Sequence, residues 1–197
     1  MSGQIRAAQV SDIPHLAYVC MQATGGIFEA LYEGSIPNRE THLIIEHMFS
    51  RLDSTSSFRN CRMLEANSKV VGALHGFAAD RSAQDPGDPL VRRDRLHVVA
   101  PFIELSTPPG SYYISSVGLY PDERGHGFGR ALMQDAEATA ESLALNSMSL
   151  HVFEQNRPAV TLYHSMGYEA IGRSPVIPHP LIRYEGELLL MAKSLGK

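Results

Sequence analysis

Apolar residues recur along this chain with two periods, and each change of period marks a new element. Ile5 to Val10 reads as a short strand. Ser11 or Asp12, followed by Pro14, opens a helix that runs through Leu16, Val19 and Cys20 towards Ala23 and stops at Gly25-Gly26. Ile27 to Tyr32 is a short helical segment closed by Gly34 and Pro37, and Leu43, Ile44, His47 and Met48 give Asn38 to Phe49 a helical repeat. From Cys61 the pattern turns to strands. Cys61 to Ala66, a turn at Asn67-Ser68 and Val70 to Ala79 form a hairpin, with Gly72 and Gly76 weakening the second strand or marking close backbone approaches. Asp80 to Asp94 has no periodicity and reads as a surface loop, and Val98 to Leu105 as a brief helix.

Ser111 to Leu119, rich in Tyr, Ile and Val, is a central strand, and its Gly118 suggests a bulge that re-aims the chain. Beyond a glycine-rich loop, Leu132, Ala136, Ala140 and Leu143 share one face of an amphipathic helix that lies on a sheet. Met148 to Phe153 is a strand, Pro158 to Ser165 a helix, Tyr168 to Gly172 a strand, Pro175 to Pro180 a loop and Glu187 to Ala192 a final strand. Strands and helices interleave without a composition break or repeat, so the expectation is one mixed α/β domain over 1–197.

Composition narrows the partners. The 197 residues carry a formal net charge of -4, which disfavours a nucleic-acid partner and mildly favours a cationic one. Two cysteines, Cys20 and Cys61, lie in apolar segments without ligand spacing and read as reduced thiols. No apolar leader or bilayer-length run occurs, so the expectation is a cytoplasmic protein without a membrane partner. The nine histidines include no HExxH motif, and His42 and His47 do not share a helix face, so no metal site is expected.

The candidate chemistry lies in Leu119 to Arg130. Gly125, Gly127 and Gly129 alternate between an apolar strand and a helix, leaving backbone N–H groups bare beside the helix's positive end. Such a loop suits a phosphate or pyrophosphate held by the amides of Gly125, His126, Gly127, Phe128, Gly129 and Arg130. Arg124 or Arg130 adds charge-assisted contacts, or is an ordinary solvated arginine. A Walker loop and a dinucleotide fingerprint both require spacings that this stretch lacks. A purely structural glycine turn is the remaining alternative.

Arg124-x-x-Gly127-x-Gly129 after a strand resembles the coenzyme A pyrophosphate loop of the GNAT superfamily of N-acetyltransferases. Asn156-x-x-Ala159-x-x-Leu162-Tyr163-x-x-x-Gly167-Tyr168 resembles that superfamily's next block, in the expected order and distance. The resemblance implies a central, mostly antiparallel, twisted sheet of about seven strands with helices on both faces. It implies acetyl-CoA as donor and direct transfer to a primary amine, on a small molecule or a protein, and leaves a homodimer open. It also implies that backbone groups of Val117 to Leu119 pair with the pantetheine arm, that the Leu119 amide meets the thioester carbonyl, and that Tyr163 protonates the leaving thiolate. The alternative for Tyr163 is a core tyrosine. Asn156 starts its helix or touches the cofactor. Some family members carry a strand Glu near the position of Tyr113, so the base is open between Glu104, Glu29, Glu33 and a water chain. Without an evident strand carboxylate, a non-catalytic acyl-CoA sensor is the alternative function.

Overall fold

The computed structural model describes residues 3–196. Seven strands form one sheet: β1 (Gln4–Ala7), β2 (Cys61–Ala66), β3 (Lys69–Ala78), β4 (Ser111–Leu119), β5 (Ser147–Phe153), β6 (Glu169–Pro175) and β7 (Glu187–Ser194). Their spatial order is β1-β2-β3-β4-β5-β7-β6, and every neighbouring pair is antiparallel except β4 with β5. The helices are α1 (Ile13–Ala23), α2 (Ile27–Tyr32), α3 (Thr41–Ser50), α4 (Ala100–Glu104), α5 (Phe128–Ser142) and α6 (Arg157–Ser165).

Local chemistry explains where the elements begin and end. The first strand stops at Ala7, short of the expected Val10, because Asp12 draws the chain aside. Its carboxylate accepts the Gln9 N–H at 2.7 Å and two bonds from Arg6 at 2.6 and 2.9 Å, and Arg6 holds it below the ordinary carboxylate range. The β2–β3 hairpin turns through Asn67 (φ 50) and Ser68 (φ 60), two consecutive left-handed residues of the kind a two-residue hairpin loop needs. Helix α5 stops one residue before Leu143, which is 55% exposed and not part of the apolar stripe. The chain turns away at Ala144 (φ 57), and Met133 takes the buried place instead.

Helices pack on both faces of the sheet. On one, α5 and α6 set Phe128, Leu132, Met133, Ala136, Val160 and Tyr163 against Leu74, Tyr112, Ile114, Met148, Leu150 and Leu189. Each fully buried Leu or Met there contributes about 2 kcal/mol, which makes this face a stiff platform. On the other face α1, α2 and α3 cover Cys61, Met63 and Ala73, while Ile27, Phe153 and Leu188 form a smaller cluster with Phe102 and Leu105 beside α4. The stretch expected as a plain loop after Ala79 holds two 3-10 segments, Ala79–Gln84 and Arg93–Val99. The second is tied to α2: the Arg92 N–H donates to Leu31 O at 2.9 Å and the Arg95 guanidinium to Ala30 O at 3.0 Å.

Candidate functional site

The one parallel pair comes apart partway. β4 and β5 are paired from Ser111–Ser147 to Ile114–Leu150 and no further, although β4 runs on to Leu119 and β5 to Phe153. On its other side β4 stays paired with β3 as far as Leu119–Gly72. A bulge marks the parting. His75 opposes Ser116 and Gly76 opposes Ile114, which leaves Ser115 without a partner and bends β4 away from β5.

The bulge is therefore at Ser115 and not at Gly118, as its glycine suggested. Gly118 answers crowding: a Cβ there would lie 2.9 Å from both Val19 Cγ1 and Val19 O, so glycine is what lets α1 cross β4. Gly72 and Gly76 also mark close approaches, to Leu119 and to the Tyr112 ring.

Past the bulge the backbone directions follow from one bond. The Tyr120 N–H donates to Val71 O on the β3 side at 3.0 Å. Alternation then turns the N–H groups of Leu119 and Val117 into the split, where no strand meets them. The split leads straight into the glycine loop. Gly125 and Gly127 both have φ 82, and a Cβ on either would meet nothing within 4 Å. Their glycine character holds space open in front of α5, whose N-cap Gly127 offers no capping side chain. The first N–H after Arg124 to find a backbone carbonyl among the described residues is that of Ala131, on Gly127 O at 3.2 Å. The amides from Gly125 to Arg130 are thus open to an anion, and these residues fit the diphosphate of a coenzyme A molecule.

Neighbouring side chains divide into free and engaged. The Arg124 side chain is exposed and makes no hydrogen bond or ion pair among the described residues. Arg130 donates to Ser165 Oγ at 2.6 Å and so joins α5 to α6. Gly129 lets the same two helices touch, with Leu162 Cδ2 3.3 Å from its Cβ position. His126 is exposed, whereas the Phe128 ring is 3% exposed and anchors the loop in the core. Asn156 is the N-cap of α6, but its side chain makes no capping bond. Tyr163 projects from α6 into the core, 5.9 Å from the Tyr168 ring. Burial pushes its phenol up, so it is protonated at neutral pH. The Tyr163 side chain is buried, and no hydrogen bond among the described residues holds its hydroxyl.

Glu104 is not brought to Tyr163. Its carboxylate accepts from Ser174 Oγ on β6 at 2.8 Å, two strands away from the split and on the opposite face from α6. Residues that the sequence reading did not single out close the other side. Arg183, in the segment joining β6 to β7, donates to Glu29 Oε1 at 3.2 Å and to Met21 O and Gln22 O at 3.1 and 3.0 Å, and its N–H donates to Gly25 O. Tyr184 stacks on Phe153 at 4.9 Å. Together they latch the β6–β7 segment onto the α1–α2 turn. No helix of the described residues is long and apolar enough to cross a membrane.

A seven-stranded sheet in which one parallel pair, the only one among the described residues, parts beside an open glycine loop defines an acyl-CoA N-acyltransferase fold. The family model described as "Acetyltransferase (GNAT) family" matches residues 28–168, and the chain belongs to that family. Curated relatives match over shorter stretches. The mycothiol acetyltransferase of Thermobispora bispora is 44% identical over 61 residues, 31% of this chain and 20% of that protein. The peptidyl-lysine N-acetyltransferase YjaB of Salmonella typhimurium is 36% identical over 74 residues, 36% of this chain and 48% of that one. The matched stretches thus cover at most about half of these relatives' length. Among solved structures, an acetyltransferase crystal structure aligns with TM-score 0.72 at 18% identity over 98% of this chain and 100% of its own. A Bacillus subtilis acetyltransferase in complex with CoA aligns with TM-score 0.59 at 12% identity over 98% and 99%. At these identities the likeness is one of fold.

Proposed function

We propose that the chain is an N-acetyltransferase that holds acetyl-CoA between β4 and β5 and passes its acetyl group to a primary amine by direct attack. The observation that carries this reading is the succession of two sets of unpaired donors, Val117 and Leu119 in the split and the amides of Gly125 to Arg130 in the loop that follows it. Acetyl-CoA supplies the acyl group as an activated thioester. Val117 orients the pantetheine arm, and the Leu119 N–H stabilises the negative charge that develops on the carbonyl oxygen as nitrogen adds. Gly125, His126, Gly127, Phe128 and Gly129 hold the diphosphate through their amides, Arg130 closes the α5–α6 side, and Arg124 adds a charge-assisted contact. Asn156, with its side chain unengaged at the head of α6, borders the same molecule. Tyr163 gives its hydroxyl proton to the departing sulfur: burial keeps the phenol protonated until then, and no hydrogen bond among the described residues holds the hydroxyl elsewhere. Glu104, already bonded to Ser174, stays outside this proton path.

The acceptor lies on the α1–α4 side, bounded by the Arg183 latch. The two relatives' names point to mycothiol and to peptidyl lysine, and both chemistries belong among the acceptors to test. Two free, buried cysteines suit a reducing compartment, and we retain the cytoplasm as the proposed one. Thiol release from acetyl-CoA over a panel of amines tests the reading. Wild type should turn over at least one amine, and Tyr163→Phe should lower kcat by about 100-fold with little change in acetyl-CoA affinity. Tight acetyl-CoA binding without turnover of any amine makes the chain a sensor instead.

A further inference from the structure

A second pair of groups suited to moving protons lies at the mouth of the split. Ile114–Leu150 is the last β4–β5 pair, and Tyr113 and His151 stand on either side of it, one just before the parting and one just after. Strand alternation turns both side chains to the face opposite Tyr163. Phe77 walls the Tyr113 ring at 5.6 Å and Phe102 the His151 ring at 5.2 Å. Both residues nevertheless remain partly exposed.

The hydrogen bonds assign every proton. Leu105 O can only accept, so His151 Nε2 carries the hydrogen of their 2.8 Å bond. That leaves a bare lone pair on His151 Nδ1, which accepts the Tyr113 hydroxyl proton at 3.1 Å. Nothing among the described residues donates to the Tyr113 oxygen, whose lone pairs are free for an incoming N–H or water. Burial, outweighing the Leu105 bond, lowers the His151 pKa, so the ring is neutral and receptive at pH 7. The titratable groups on the elements packed around the pair are otherwise engaged or shielded. Glu104, next to Leu105, is held by Ser174, and His75, across Phe77, donates to Thr55 O.

Building on the acetyltransferase reading, we infer that Tyr113 and His151 are the outlet for the acceptor's proton: the Tyr113 oxygen takes it as the Tyr113 hydroxyl proton passes to His151 Nδ1. One N–H bond of the ammonium breaks and frees its electron pair for attack, while a new O–H forms on Tyr113. The former Tyr113 O–H breaks and an Nδ1–H forms, leaving a neutral tyrosine and an imidazolium held by Leu105 O. The pair resets by the reverse relay: Nδ1 returns its proton to the Tyr113 oxygen as the Tyr113 hydroxyl gives one to water. Tyr113 is the group that meets the amine, and His151 is a positioning residue that acts through it. The proposal supplies a base where the chain lacks a strand carboxylate and separates it from Tyr163, on the other face, which serves the thiol.

The test is the pH profile of kcat at saturating amine, with acetyl-CoA affinity measured alongside for wild type, Tyr113→Phe and His151→Gln. Wild type should show an acid limb of unit slope below pH 6.5, and both variants should lose about 100-fold in kcat and the limb itself, with acetyl-CoA affinity retained. A Tyr113→Phe enzyme that keeps the wild-type rate and limb overturns the proton outlet and leaves the parent reading standing. An enzyme that binds acetyl-CoA and acetylates no amine overturns both. Should the variants fail to fold, nitrogen NMR of wild type decides: His151 must be protonated at Nε2 and titrate with the midpoint of the kinetic limb, and the other tautomer or another midpoint overturns the outlet.

Discussion

Two glycine pairs with the same backbone sign do opposite things. Gly25 (φ 64) and Gly26 (φ 96) sit at the α1–α2 turn, and Gly125 and Gly127 (both φ 82) sit in the loop before α5. A Cβ on Gly26 would lie 1.8 Å from Leu181 O, and one on Gly25 would lie 2.8 Å from both Phe153 and Tyr184. At Gly125 and Gly127 it would meet nothing within 4 Å. In the first pair glycine lets protein approach protein. In the second no protein atom lies beside the glycine, and that space is where we propose the coenzyme binds. A positive φ is therefore common to a joint and to a binding site, and the occupancy of the space beside it tells them apart.

Substitutions should separate the two. Gly26→Ala combines backbone strain with a backbone collision, and should cost about 4 kcal/mol and lower Tm by roughly 10 °C in a thermal melt. An unchanged Tm would mean that the α1–α2 joint is looser than described. Acid should weaken the crowded half next. His75 is buried between Phe49 and Phe77, and desolvation lowers its pKa from 6.5 to about 4. The unfolded chain then takes a proton that the folded one refuses. The stability tied to His75 is therefore complete above pH 6.5 and is lost as pH falls towards 4, by about 3 kcal/mol in all. Urea unfolding at pH 7 and pH 4.5 reads this loss, and a His75→Gln variant should show a flatter dependence. The smallest structural effect belongs to Gly127→Ala, with about 1 kcal/mol from backbone strain alone. Acetyl-CoA affinity measured by calorimetry should nevertheless fall about 10-fold, as the new methyl group crowds the amides. A variant destabilised as much as Gly26→Ala, with affinity intact, would break the contrast.

Local order in the chain carried most of what could be read from it. The strand, open loop and helix of Ser111 to Ser142 are contiguous, so hydrophobic period and glycine spacing describe them directly. The same holds for Asn156 to Tyr168, although spacing alone could not say that burial is what governs the Tyr163 phenol. Distant pairings were out of reach. Tyr113 meets His151 across 38 residues and Arg183 meets Glu29 across 154, and no periodicity links either pair. The displaced bulge has the same origin. Gly118 looks like a strand irregularity in one dimension, whereas its cause is α1 crossing above it, and the unmarked Ser115 carries the irregularity itself.

That bulge has a consequence for the solution behaviour of the molecule. An unpaired strand edge invites another chain to add to it and is a common route to aggregation. Residues 115–119 form such an edge, complete with bare donors, but it lies in the middle of the sheet. Strand β5 stands opposite and the crossing α1 lies over one face. The pantetheine arm of the proposed donor would take the donors that β5 leaves unpaired there. Ser115 thus creates an unpaired edge inside the sheet and not at its rim, where strand addition by another protein would begin.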